Sequence, residues 1–279
     1  MLVLTVVLGA AVLHATWNAM AHGAPDRVAG LALFELAAGV IGLVAIIIMG
    51  LPPAGTWGYI IASALLHLAY LAGLLASYQL GQFSQMYPLA RGTSPWVVAV
   101  VSIVVLHQSL ALVELAGVLL ISAGLIALVF IGRPGRRQLP ALLAALGTGV
   151  MIAAYTVVDG LAVHKMPVLT YMGWVFTIQG FAMPLVVLAW RGTAVLKLPR
   201  SAVLSGLGGG VVSMVAYGLV LWAQTRGTLA AIAALRETSI IFGAVIGAIF
   251  FGERFGPRRA IAAAVVVAGI ILISVGSAS

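Results

Sequence analysis

Ala234-Leu235-Arg236-Glu237-Thr238-Ser239 lies inside a long apolar run, and Leu89-Ala90-Arg91-Gly92-Thr93-Ser94 echoes it in the first half of the chain. Each stretch places an arginine two residues before Thr-Ser, several residues into a segment of membrane length. A guanidinium at membrane depth costs from about 3 to more than 10 kcal/mol, depending on the scale. A chain that accepts this twice, at matching places, uses the charge either to bind something or to lock helices together. Both readings are open at the level of sequence.

The composition makes the membrane setting firm. Of 279 residues, 63% are hydrophobic and 7% charged, with mean hydropathy +1.21. A soluble domain is about 25% charged, so this chain cannot cover a globular surface with charge. The net charge of +8 comes mostly from short loops. In a membrane protein such clusters report orientation, and no nucleic-acid partner is expected. The absence of cysteine excludes disulfides and thiolate chemistry. There is no His-Glu-x-x-His, phosphate-cradling glycine loop or nucleophile–base spacing. No metal, no cofactor, no ATP-driven step and no enzyme activity are therefore expected. The first apolar run lacks a basic leader and reads as a membrane helix, not a cleaved signal peptide.

A bilayer core takes about 20 apolar residues per helix. With Gly, Pro and charge as punctuation, ten segments emerge, at about 3–22, 28–50, 57–80, 83–107, 112–132, 139–161, 168–190, 201–225, 228–251 and 258–277. They are too long and too uniformly apolar for the alternating strands of a β-barrel. The expected fold is an all-α polytopic membrane protein of ten transmembrane helices.

Gly132-Arg133-Pro134-Gly135-Arg136-Arg137 separates two halves. Arg91, Thr93 and Ser94 match Arg236, Thr238 and Ser239 at a constant offset. Trp17 matches Tyr155, Tyr70 matches Tyr217, and His107-Gln108 falls where Gly252-Glu253 falls. Five helices per copy is an odd number, so the second copy is inverted relative to the first. Each arginine lies about eight residues into its helix, at about 1.5 Å per residue. The two therefore approach the bilayer midplane from opposite faces, where inverted-repeat transporters bind substrate. Loops after odd-numbered helices carry Arg27, Arg133, Arg136, Arg137, Arg191, Lys197, Arg200, Arg254, Arg258 and Arg259, against Lys165 and Arg226 after even ones. The positive-inside rule places the first group in the cytoplasm and both termini outside.

Other polar residues in the apolar runs are candidates for a site. His14, Trp17 and Asn18 share one face of the first helix by their i, i+3 and i+4 spacing: Asn as hydrogen-bonder, Trp as wall, His as proton carrier, with an interhelical hydrogen bond from His14 as the alternative. Glu35 reads as the counter-ion of Arg91, or as a carboxylate carrying a coupling proton. Tyr70, with His67 beside it, and Tyr217 are aromatic walls or packing residues. Tyr155 and Asp159 are i, i+4 on the sixth helix, and Asp159 is the expected partner of Arg236. In a regular helix Glu237 points about 100° away from Arg236, so the two would not neutralise each other from one face. Gly206, Gly208, Gly209 and Gly210 thin one side of the eighth helix for close packing. Pro88 and Pro95 bend the fourth.

Leu13-His14-Ala15-Thr16-Trp17-Asn18-Ala19, Tyr87-Pro88-Leu89-Ala90-Arg91-Gly92, Ala154-Tyr155-Thr156-Val157-Val158-Asp159-Gly160, Ala234-Leu235-Arg236-Glu237-Thr238-Ser239 and Gly252-Glu253-Arg254 resemble signatures of EamA-type members of the drug/metabolite transporter superfamily. The first half departs from the pattern, with His107-Gln108 where Gly-Glu is usual. The resemblance implies two EamA-like five-helix repeats, residues 1–132 and 139–279, joined by a basic linker, 133–138. It implies a plasma-membrane exporter of small metabolites, often amino acids, and cytoplasmic termini; on this last point the loop charges of the chain itself point the other way.

The sequence thus reads as a secondary transporter of a small zwitterionic or anionic metabolite, working by alternating access, with room for proton coupling. Arg91 and Arg236 would bind or gate a carboxylate or phosphonate. A hydrophobic-cation exporter using Glu35 or Glu237, and a lipid-carrier flippase or accessory protein, stay open as alternatives.

Overall fold

A computed structural model describes residues 1–22, 26–80, 83–127, 139–192, 199–250 and 257–276. The linker at 133–138 and Gly252-Glu253-Arg254 lie outside the described residues. The described chain is helical, with no strand: α1 Leu2–His22, α2 Arg27–Met49, α3 Trp57–Leu80, α4 Phe83–Val104, α5 Leu112–Ala127, α6 Leu139–Ala162, α7 Val168–Arg191, α8 Arg200–Gln224, α9 Leu229–Arg236, α10 Ser239–Phe250 and α11 Pro257–Gly276. Among the described residues, five spans are long and apolar enough to cross a bilayer: Leu2–Met20, Val28–Met49, Leu139–Ala162, Val168–Arg191 and Arg200–Gln224.

The unbroken helix expected over 228–251 is instead two. α9 ends at Arg236 and α10 begins at Ser239. Between them the backbone tightens: Glu237 N–H donates to Ala234 O and Thr238 N–H to Leu235 O, both at 3.1 Å. These are i−3 bonds of the 3₁₀ type that close a helix end. Thr238 Oγ1 also donates to Leu235 O at 2.7 Å, the local competition by which a hydroxyl displaces helical bonding. Such a break inside an apolar segment is tolerated where protein surrounds it, and α9 is buried along its whole length.

Helix ends at the periphery are held by polar contacts. Asp26 caps α2, accepting from Val28 N–H at 3.0 Å and Ala29 N–H at 3.1 Å. Its carboxylate also pairs with Arg191 at the end of α7, at 2.9 Å, tying the two helices at one face. Glycine decides two of the closest contacts between the halves. A Cβ on Gly180 of α7 would stand 2.5 Å from Gly39 Cα of α2. A Cβ on Gly117 of α5 would stand 2.7 Å from Gly269 O of α11. Both are backbone against backbone, the approach that small residues permit in membranes.

The remaining packing has a pattern. α1 packs on α8 and α3 on α6; α4 packs on α6 and α1 on α10; α2 packs on α8 and α3 on α7. α9 sits in the middle, with Ile232, Leu235 and their neighbours in the largest apolar core beside Val98, Ile121 and Val220.

Candidate functional site

Two buried arginines meet one buried glutamate where α1, α4, α6, α8 and α9 converge. Arg91 lies on α4 between Pro88 and Pro95 of the same helix. Pro95 has no N–H to offer the Arg91 carbonyl four residues earlier. Arg236 ends α9, and Glu237 occupies the break that follows. Arg91 Nε lies 2.6 Å from Glu237 Oε2, with side chains 3% and 0% exposed. The contact lies off the N–H axis, so it acts as an ion pair and not as a directed hydrogen bond. Arg236 Nη2 is 3.4 Å from the other oxygen, Oε1, and also donates to Thr156 Oγ1 at 3.4 Å.

This corrects both counter-ions expected from sequence. Glu35 does not pair with Arg91: its Oε2 is buried with no hydrogen-bond partner, and no ion pair joins the two. Asp159 does not pair with Arg236 either. It accepts from Ser63 Oγ at 2.6 Å and from the hydroxyls of Tyr171 and Tyr217. Glu237 keeps helical backbone angles, φ −69° and ψ −11°, so the two side chains do leave the backbone in different directions. The long Arg236 side chain reaches Glu237 Oε1 only at 3.4 Å, and the closer partner of Glu237 is Arg91 on another helix.

A cavity of about 30 Å³ opens against this cluster. His14, Arg91, Tyr155, Tyr217 and Arg236 form its polar wall; Ala10, Ala216 and Val220 form the apolar one. Each of those five polar residues was named from sequence. The space takes a few waters at most, so a larger ligand requires the helices to part.

The other expected wall residues stand one layer back. Trp17 donates through Nε1 to His14 Nδ1 at 3.1 Å and packs on Phe34. Asn18 spends its amide on His14 O of its own helix, at 2.7 Å. Tyr70 meets Tyr155 edge to face, ring centroids 5.8 Å apart. None of the three lines the cavity. His14 itself lies between two donors, since Arg91 Nη2 reaches its Nε2 at 3.0 Å. A neutral imidazole has one acceptor nitrogen, so only one donor is satisfied at a time. Both ring nitrogens thus face donors, Trp17 Nε1 on one side and Arg91 Nη2 on the other, in the wall of the cavity.

Sequence reasoning missed Ser63 and Tyr171. Ser63 stands i, i+4 from His67 on α3, a spacing that was there to be noticed; Tyr171 had no signal, because α7 reaches Asp159 only through tertiary packing. Ser239, part of the repeated motif, accepts from Arg91 Nη2 at 3.3 Å.

Residues 139–275 match the model of the EamA-like transporter family. A solved crystal structure superposes with a TM-score of 0.76 at 19% identity, covering 98% of this chain and 98% of its own; at that identity the likeness is one of fold. No curated protein matches the sequence.

Proposed function

With an EamA-like second half, the chain is an EamA-type, multi-pass member of the drug/metabolite transporter superfamily, and from that premise we propose that it is a secondary transporter of a small metabolite bearing a carboxylate or phosphonate. The observation that carries the substrate class is the sharing of one carboxylate between two buried guanidiniums on a cavity wall. Glu237 balances one positive charge and leaves the other to an anionic group, which would enter between Arg91 and Arg236 with Tyr155 and Tyr217 as walls. A hydrophobic cation gains nothing from this wall, since the carboxylate beside it is already neutralised.

The same reading takes the chain as ten crossings in two inverted repeats, residues 1–132 and 139–279, that alternate access and export the metabolite. The packing pairs support this. If α1–α5 correspond to α6–α11, with α9 and α10 as one segment, then α1 on α8 is the counterpart of α6 on α3, and α4 on α6 that of α10 on α1. Arg91 and Arg236 are then equivalent residues arriving at Glu237 from the two repeats.

Proteoliposomes loaded with radiolabelled amino acids and phosphonates test the reading. Efflux of a carboxylate or phosphonate compound, absent in Arg236→Ala, is expected. Undiminished efflux in that variant would remove the arginine from the mechanism.

A further inference from the structure

Anion binding makes no use of the buried carboxylate on α6. Asp159 is 1% exposed and makes no ion pair among the described residues. It accepts from three hydroxyls: Ser63 on α3, Tyr171 on α7 and Tyr217 on α8. His67 completes the group. It stacks on Tyr155, ring centroids 4.0 Å apart, and its Nε2 lies 3.3 Å from Tyr217 Oη. Arg236 stands on the cavity side, its guanidinium 5.8 Å from the same Tyr155 ring.

Counting protons exposes a vacancy. His67 Nδ1 lies 2.9 Å from Ser63 O, and a carbonyl only accepts, so Nδ1 carries a hydrogen. In the neutral ring Nε2 then holds a lone pair facing Tyr217. Tyr217 has one proton and directs it to Asp159, so lone pair faces lone pair at 3.3 Å. One added proton resolves the conflict. On Nε2 it donates to Tyr217 Oη, while Oη donates to Asp159 Oδ2. Passed along, the Nε2 proton moves to Oη as the Oη proton moves to Oδ2, leaving a neutral imidazole and a neutral carboxylic acid. Atoms and charge balance in either form.

The group also straddles the two halves. Ser63 and His67 come from the first, and Asp159, Tyr171 and Tyr217 from the second; Tyr217 belongs at once to this group and to the cavity wall. We propose that Asp159, Tyr217 and His67 form a proton-binding relay, assembled only when the halves are closed over the cavity, that couples proton uptake and release to the transport cycle. The coupling rests on the transport reading; the proton site does not.

Infrared difference spectroscopy of the purified protein in lipid, stepped in pH, separates the two. The wild type is expected to show a protonated-carboxyl C=O stretch that Asp159→Asn lacks. Tyr217→Phe, which changes little in volume, is expected to displace the midpoint of that band by about one pH unit, the worth of one hydrogen bond to a charged group. An Asp159→Asn spectrum identical to wild type, or an unmoved midpoint in Tyr217→Phe, overturns the relay. In proteoliposomes given a compound that the wild type moves, Asp159→Asn is expected to keep exchange at equal pH and lose accumulation driven by a pH gradient; retained accumulation overturns the coupling. If no metabolite moves but the band behaves as stated, the transport reading fails and the proton site stands.

Discussion

Arg91 and Arg236 grip the two oxygens of a single carboxylate, Glu237 Oε2 at 2.6 Å and Oε1 at 3.4 Å. The glutamate is fully buried, and it follows Arg236 directly in the chain. One residue therefore joins α4 to the α9–α10 break, and the break exists where that join is made.

Removing the shared carboxylate leaves two guanidiniums facing each other without compensation. Glu237→Gln is expected to destabilise the protein by about 3–5 kcal/mol, the scale for a buried pair that loses one partner. Thermal unfolding in detergent checks this. Restoration of the wild-type midpoint by free carboxylate compounds would further mark the cavity as an anion site.

At the membrane surface the Asp26–Arg191 tie responds to acid. Hydrogen bonds from the backbone N–H of Ala29 and Val28, and the Arg191 guanidinium, hold the Asp26 carboxyl below its usual range against a smaller opposing effect of burial. A carboxyl depressed in the folded state adds stability above its unfolded value of about 3.9, and that stability fades as pH falls through the lower folded value. Asp26→Asn, which keeps a capping oxygen, is expected to lose at most about 1 kcal/mol, because the pair is exposed. Asp26→Ala loses the cap as well, about 0.5–2 kcal/mol. Both differences from wild type should shrink in melts run below about pH 3.

The α2–α7 contact has no room for a methyl group. Gly180→Ala sets a Cβ 2.5 Å from Gly39 Cα, and neither backbone can give without moving a helix. A loss of about 1–3 kcal/mol is expected. Gly147→Ala, where nothing lies within 4 Å, should leave the melting point unchanged or slightly raised.

Loop charge predicts the orientation of the chain. With the arginine-rich loops inside, a reporter that works only in the cytoplasm should be silent when fused after Ser279 and active when inserted between Arg133 and Arg137. The reverse result would show that the loop charges mislead for this chain.

The cavity wall was legible for a simple reason. A charge or tyrosine inside an apolar run stands out, and the two halves repeat it, so Arg91, Arg236, Tyr155 and Tyr217 were found without coordinates. His14 was found too, but not that Trp17 and Asn18 on the same turn stand behind it, because spacing defines a face and not what the face meets. The ion pairs were misassigned because each arginine was given an acid from its own half, Glu35 for Arg91 and Asp159 for Arg236, whereas the 2.6 Å pair of Arg91 with Glu237 crosses between the halves and has no local signal. The company around Asp159 comes from α3, α7 and α8, and no local pattern announces contacts made across three helices.

Two of the bare backbone contacts that join the first half to the second, Gly39 against Gly180 and Gly117 against Gly269, have no side chain between them to compress or swing. Two points define a line. A motion that widens the small cavity while keeping both contacts has to pivot about that line, as a shutter turns on a pair of pins. Paired distance labels beside the pins should hold their separation while labels astride Arg91 and Arg236 change theirs.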